Sequence, residues 1–367
     1  MILMVCSSVF QLYVAILIKK TFLRDEKVDL VLTDATPRFS TLYKNKRLAT
    51  LFHSVRFAEI CKNEKRLNRL ERSKYGKMYF EIFPQRYVKK VWGIEVKQYH
   101  ECYFSSYTKQ NVFLQYAIKK NGKDVKMHMF EDGISTYIVK NGQAVRAPRL
   151  LRKIFNIHSV EELISDVYVF EPELVCLQEY SNLITLPKPQ EVEGLSEIYN
   201  EVFGEIDYQI KEKFIFFEES FNNDGYVTND SELINMLWEL CDGKDFILKH
   251  HPRNSVDRFK TILPTIEAPI FWENYLLRHP LGDKVLVTVS SNTVFVPHII
   301  SEAQPTVIML YKIFNGTSFI LASGNFEAYV EKYLKYYEDY TKNKFYIPET
   351  IEEFQGIVQM LKKENEV

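Results

Sequence analysis

The sequence predicts an α/β protein of two domains, each an open, mostly parallel sheet covered by helices on both faces. Three observations lead there. The chain has 367 residues, longer than a single hydrophobic core usually supports. Short apolar runs alternate with helix-length segments in both halves, as they do when strands are buried on both faces. One stretch with two prolines and a glycine, LPKPQEVEGLSEI at 186–198, interrupts the alternation and reads as a linker.

In the first half, MILMVCSS reads as a strand and VFQLYVAILIKKTF as the helix after it. KVDLVLTD is the next strand. The stretch KNKRLATLFHSVRFAEICKNEKRLNRLERSKYGK, 44–77, has helical spacing, with Leu48, Leu51, Phe52, Val55 and Ile60 on its apolar side. KKVWGIEV, NVFLQYAIKK, DVKMHMFEDG and DVYVFEPEL are further apolar runs of strand length. After the linker the pattern resumes with KFIFFEES, DFILKHH, IFWENYLL, KVLVTVSS and PTVIMLY. FEAYVEKYLKYYEDYTKN and TIEEFQGIVQMLKKE repeat their apolar residues at threes and fours, as amphipathic helices do. The predicted organisation is therefore a domain over 1–185, a linker at 186–198, a domain over 199–325, and helices at 326–367 that pack across the domains.

Composition narrows the class. With 46% apolar and 14% aromatic residues, the chain is globular rather than disordered or fibrous. Cys6, Cys61, Cys102, Cys176 and Cys241 are odd in number and scattered, with no C-x-x-C pair, which argues against a disulfide framework or a zinc knuckle and for a reducing cytoplasm. Residues 1–18 are apolar enough to mimic a signal peptide. They lack a basic leading region, and Ser7, Ser8 and Gln11 interrupt them, so a buried strand and helix fit better.

The net charge of −1 hides an asymmetry: residues 1–153 hold 30 Lys+Arg against 13 Asp+Glu, and the remainder 17 against 35. A basic half suits an anionic partner such as a membrane surface, an acidic glycan or a phosphate, or else the acidic half of this chain or of a second copy in a homodimer. The basic stretch carries no motif of a DNA- or RNA-reading module, so nucleic acid is not expected.

Functional groups in open α/β sheets gather at the carboxyl ends of strands. Three such ends stand out. MHMFEDGISTY ends a strand with Glu131-Asp132-Gly133, either an ordinary turn or a carboxylate placed as a general base. ILKHHPR ends one with Lys249-His250-His251, and Pro252 forces His251 into an extended conformation. KVLVTVSSNTVF ends in Ser290-Ser291 where a helix would begin, a helix cap or a phosphate cradle. Between the last two, Glu273 sits inside the apolar APIFWENYLL and needs a partner, either a basic side chain or a ribose diol. There is no G-x-x-x-x-G-K-[ST], no G-x-G-x-x-G, no D-x-D and no cluster with metal-ligand spacing. Neither cofactor nor metal is expected.

Glu-Asp-Gly, then His-Pro, then Ser-Ser, in that order, resembles the motif set of bacterial sialyltransferases, with glycosyltransferase family 52 as the nearest likeness. CSSVFQLYVA is also similar to the first strand, loop and helix of that family, which brings in Ser8 and Gln11 as sugar contacts. The resemblance implies a GT-B fold, two Rossmann-like domains facing a central cleft, with the acceptor held by the first and CMP-sialic acid by the second. It implies Asp132 as the base for the acceptor hydroxyl and His251 as the acid for the departing CMP, with Glu131 and His250 as sharers of those roles. Ser290 and Ser291 would hold the phosphate, Glu273 the ribose, and Lys249 would lie near the cytosine. The implied acceptor is a terminal sugar, galactose first, of a bacterial surface polysaccharide or lipooligosaccharide at the inner face of the cytoplasmic membrane, which RAPRLLRKIF (146–155) could touch as a basic amphipathic segment. The rival readings are a GT-B enzyme for another nucleotide sugar, a phosphotransferase with a histidine nucleophile, and a non-catalytic glycan-binding protein.

Overall fold

The computed structural model describes residues 1–96, 98–105, 108–122, 124–140, 148–155, 157, 164–178, 180, 182–205, 207–251, 254, 258–259, 262–266, 270–279, 281–301 and 303–363. They form two compact units, Met1–Pro172 with Leu177–Gly204, and Glu173–Cys176 with Glu205–Val367.

The first unit is built on strands β1 (Ile2–Cys6), β2 (Val28–Thr33), β3 (Ser54–Ala58), β4 (Glu101–Phe104), β5 (Lys126–Phe130), β6 (Ile164–Val169) and β7 (Leu183–Thr185). Their order is β3-β2-β1-β4-β5-β6-β7, all parallel. Every residue of β1 is buried, because Ile2 lies between Val28 on one side and Glu101 on the other. The winding runs outward to β3 and then returns across β1 to β4, so direction reverses between β1 and β4. The helix Val9–Thr21 follows β1. Ser8 caps its start, and at its end the buried Lys19 ammonium donates to the carbonyls of Leu23 and Arg24 at 2.6 and 2.7 Å.

The second unit carries β8 (Phe214–Phe217), β9 (Phe246–Lys249), β10 (Val285–Thr288), β11 (Thr306–Met309) and β12 (Phe345–Tyr346), in the parallel order β12-β11-β10-β8-β9. Here the reversal falls between β8 and β10. Phe214, Phe216, Leu248, Val287 and Ile308 form one core with Leu233 and Leu237 of the helix Asp230–Leu240. Phe354, Val358 and Leu361 of the helix Ile351–Lys363 belong to the same core, so that helix is part of the second unit.

Several local expectations differ from what forms. The stretch 44–77 is not one helix. An Asn45-capped helix, Lys46–Leu51, ends at an extended Phe52, and β3 follows. His53 and Ser54 pin that turn on the Asp29 carboxylate of β2 at 2.9 and 2.6 Å, a long-range contact that helical spacing does not register. NVFLQYAIKK lies in the helix Lys109–Asn121, started by a Thr108 cap and buried continuously from Asn111 to Ile118. An apolar run buried all round has no period to separate strand from helix. The fourth strand is ECYF instead. KKVWGIEV forms a single wide turn, Val88–Trp92, closed by Gly93 at φ +63°, and IFWENYLL holds the short helix Trp272–Leu276.

Residues 186–198 also differ from a free linker. They belong to the first unit, and the helix Leu195–Phe203 buries Leu195, Ile198, Tyr199, Val202 and Phe203 there. Tyr199 stacks on Tyr13 at 4.0 Å and donates its hydroxyl to the Tyr13 carbonyl. The division between units comes at Gly204. The five cysteines are free. Among the described residues no helix is long and apolar enough to cross a membrane.

Candidate active site

The Glu-Asp-Gly turn follows β5 and sends its two carboxylates to different surroundings. Glu131 is 2% exposed. Its Oε2 accepts the Tyr137 hydroxyl at 2.6 Å and the Phe170 backbone N–H at 2.8 Å. Burial pushes its carboxyl up to about 8, against the pull of those two hydrogen bonds. Asp132 is half-buried. It accepts a long hydrogen bond, 3.4 Å, from the Ser8 hydroxyl, while its backbone N–H donates to Thr136 Oγ1 at 2.7 Å. Gly133 turns the chain with φ +64° and ψ −152°, a region open essentially to glycine alone, and starts the helix Ile134–Ile138.

Ser8 and Asp132 are thus brought together at the end of β1, where Ser8 also accepts from the Gln11 backbone N–H at 3.1 Å. Gln11 is buried, and its Oε1 takes the Ser7 N–H at 2.5 Å, making it a brace inside the turn. Thr33 and Thr36 add hydrogen bonds to Ser7 from the β2 side.

Glu131 supplies a pH prediction. The folded chain keeps a proton on this carboxyl that the unfolded chain releases above its ordinary 4.5, so ionisation weakens the fold progressively as pH rises from there toward about 8. Glu131→Gln keeps an acceptor for Tyr137 and Phe170. The variant is expected to gain stability over the parent between pH 5 and 8, on the order of a few kcal/mol at the upper end. Denaturant midpoints of both proteins at the two pH values measure it. Parallel curves would refute it.

In the second unit, β9 ends at Lys249 and leads into His250 and His251. His250 Nδ1 lies 2.8 Å from Glu218 Oε2. Glu218 follows β8, its side chain fully buried, and Oε1 accepts Arg258 Nη2 at 2.9 Å. Arg258 continues to Asp230 at 2.6 Å and Ser231 at 2.9 Å. Burial alone would raise the Glu218 carboxyl, but hydrogen bonds from His250, Asn254 and Arg258 outweigh it and hold it near about 2. His251 is half-buried and accepts the Asn254 N–H on its carbonyl at 3.0 Å. Pro252 lies outside the described residues.

Lys249 and Glu273 are electrostatic neighbours. Burial lowers the Lys249 ammonium and the Glu273 charge opposes that shift. Burial raises the Glu273 carboxyl to about 7, against its own backbone N–H and Lys249. Each charge favours the ionised form of the other.

The two serines at the end of β10 diverge. Ser290 is 1% exposed, and both its N–H and its hydroxyl donate to Glu219, at 2.6 and 2.8 Å. Thr288 adds a third hydrogen bond to that carboxylate at 3.2 Å. Burial pushes Glu219 up to about 7 in spite of them. Ser290 therefore ties β10 to the end of β8, at the reversal point of the sheet. Ser291 is half-buried and caps the short turn Asn292–Val294, accepting from Thr293 N–H at 3.4 Å.

Glu218, Glu219 and Arg258 did not emerge from the sequence. The signal was present for two of them: FFEES places paired acids at the end of an apolar strand, as MFEDG does. Among the described residues no group of three or more His, Cys, Asp or Glu side chains could hold a metal ion.

Solved glycosyltransferases share this architecture. The kitacinnamycin glycotransferase superposes with a TM-score of 0.53 at 9% identity, over 98% of this chain and 90% of its own. The calicheamicin glycosyltransferase CalG4 gives 0.51 at 9% identity, over 99% and 88%. At that identity the likeness is one of fold: α/β, two Rossmann-like domains, GT-B. No curated protein matches the sequence. A family model described as alpha-2,8-polysialyltransferase matches residues 2–311, and the chain belongs to the alpha-2,8-polysialyltransferase family.

Proposed function

We propose that this protein transfers sialic acid from CMP-sialic acid to a glycan hydroxyl, by a single displacement that inverts the anomeric centre and requires no metal. The acceptor oxygen forms its bond to the anomeric carbon as the bond from that carbon to the CMP phosphate breaks. Asp132 takes the acceptor proton, and His251 gives one to the departing phosphate. A monophosphate leaves with less charge to neutralise than a diphosphate, so an imidazolium and hydroxyl donors suffice. Ser291 binds that phosphate. Ser290 acts through Glu219, as a strut under Ser291. Glu273 receives the ribose hydroxyls beside Lys249, which lies toward the cytosine. His250, engaged with Glu218, supports His251 from the preceding position.

The observation that supports this most is the split in the acidic pair. Glu131 is turned inward and engaged by Tyr137 and Phe170, whereas Asp132 is half-exposed beside Ser8 at the end of a central strand. A base must reach its substrate. The family name favours an acceptor that itself ends in sialic acid; a galactose end is the second reading, from the motif resemblance. Either would belong to a surface polysaccharide or lipooligosaccharide assembled at the inner face of the cytoplasmic membrane.

The test is incubation with CMP-sialic acid and each of the two acceptors, following CMP release and product with and without EDTA. Release coupled to product and indifferent to EDTA is expected. Turnover of a UDP- or GDP-sugar in its place overturns the donor, loss of activity in EDTA overturns the metal-free mechanism, and a trapped phosphohistidine at His250 or His251 overturns the single displacement.

A further inference from the structure

We infer, resting on the reading of Ser291 as the phosphate contact, that Glu219 couples nucleotide binding to proton uptake. When a phosphate occupies Ser291, the carboxyl group behind that position takes a proton from solvent. The neutral acid no longer repels the phosphate, so Glu219 tunes the affinity of the site through Ser290 and Thr288. It is a positioning residue for the donor.

The sheet of the second unit reverses between β8 and β10, and ligands of open α/β sheets settle outside the strand ends at such a point. Glu219 stands there, two residues past the end of β8. Its Oε1 accepts the Ser290 N–H at 2.6 Å and the Thr288 hydroxyl at 3.2 Å, and its Oε2 accepts the Ser290 hydroxyl at 2.8 Å. Thr288 Oγ1 in turn accepts the Ser291 N–H at 3.4 Å. Ser291 is therefore joined to this carboxyl group twice, through the Ser290 peptide and through Thr288. The arrangement accommodates both charge states. A proton added at Oε2 is donated to Ser290 Oγ, because a hydroxyl accepts as well as donates, and Oε1 keeps its two donors. Only the direction of one hydrogen bond changes.

Charge supplies the coupling. Among the described residues no cation pairs with Glu219. Glu218 beside it is engaged by His250 and Arg258 and, held near about 2, stays ionised. Asp230, at the start of the helix Asp230–Leu240, is paired with Arg258. Burial pushes the Glu219 carboxyl up to about 7 against its three hydrogen bonds, and the Asp230 charge adds to the rise. Near neutral pH the group therefore stands between its two forms. A nucleotide monophosphate brings up to two negative charges to Ser291, and like charges disfavour each other. Across several ångströms of protein, each added charge raises the proton affinity of the carboxyl on the order of ten-fold. Glu219 is half-buried, so solvent supplies the proton.

The test is calorimetric titration of the full chain with CMP at pH 6 and 8, in phosphate-free buffers of unlike ionisation enthalpy, so that the proton balance is read with the affinity. At pH 8 the parent should take up about half a proton more than Glu219→Gln, and at pH 6, where the carboxyl already holds its proton, the difference should vanish. The histidines are the same in both proteins, so the difference belongs to Glu219. An amide reproduces the neutral form, its oxygen accepting from Ser290 N–H and Thr288 and its NH₂ donating to Ser290 Oγ. Glu219→Gln should therefore match the parent at pH 6 and bind CMP about five-fold or more tighter at pH 8; mere damage to the turn would weaken binding at both. Ser290→Ala removes one donor to the carboxylate, and the pH at which affinity falls should move upward; this variant decides the matter should Glu219→Gln not fold. CMP bound with equal proton uptake in parent and Glu219→Gln, or more weakly by the variant at both pH values, overturns the inference and leaves the phosphate site standing. No binding of CMP at either pH overturns that site itself.

Discussion

Replacing Asp132 by alanine is expected to slow sialyl transfer by about 10²–10⁴-fold, the usual contribution of one general base. Nucleotide binding should be unchanged, because every group assigned to CMP lies on the second unit. The physical ground is the local backbone. Gly133 allows a turn that sends Glu131 inward to Tyr137 and leaves Asp132 beside Ser8. Glu131→Gln is the matched control: it removes the acidic group one residue away and should retain transfer within a few-fold. CMP release rates, with calorimetric titration of CMP on each variant, separate catalysis from binding. If Asp132→Ala turned over within ten-fold of the parent, or Glu131→Gln lost as much as Asp132→Ala, the base would be elsewhere.

Glu218→Ala is expected to cost the second unit about 3–5 kcal/mol, the usual result of removing one member of a buried ion pair. The substitution leaves Arg258 and His250 facing an empty site, with Arg258 still held by Asp230. The effect also has a pH signature. The Glu218 carboxyl is held near about 2, below its ordinary 4.5, so its contribution is complete above pH 4.5 and disappears as pH falls from there toward 2. Parent and variant should therefore differ widely at pH 7 and converge in acid. Hydrogen exchange of the β8 and β9 amides at pH 7, with denaturant midpoints at pH 7 and 3, tests both parts. A loss under about 1 kcal/mol at pH 7 would show that solvent already compensates Arg258.

Much of the fold was legible because parallel strands buried on both faces write themselves as unbroken apolar runs. β1, β2, β5, β8, β9, β10 and β11 lie inside such runs, and β6 ends in one. The failures share a cause. In NVFLQYAIKK the burial is equally continuous, but on a helix, and periodicity carries no information when every face is covered. Around His53, the strand is dictated by Asp29, 24 residues earlier in the chain. The segment at 186–198 has the composition of a linker, yet Tyr199, just beyond it, belongs on Tyr13.

The site was legible to a similar depth. Strand-end position and residue type drew attention to Glu131, Asp132, Lys249, His250, His251, Ser290 and Ser291. What each side chain bonds to was not readable, since Ser290 meets Glu219 across 71 residues and His250 meets Glu218 across 32. The short motifs reached the sialyltransferase class while pointing to family 52; the family model that matches is that of the alpha-2,8-polysialyltransferases.

Gly133 has a consequence for how this chain can change. At φ +64° and ψ −152° its peptide has a handedness that a residue with a β-carbon reaches only with strain of about 1–3 kcal/mol. Relief of that strain would rotate the preceding carboxylate away from Ser8. A drifting lineage could exchange Glu131 for any neutral group that still receives Tyr137 and Phe170, but the neighbouring position has no such neutral route. In this three-letter signature the residue without a side chain is held by backbone geometry alone, and the aspartate before it by the chemistry proposed for it.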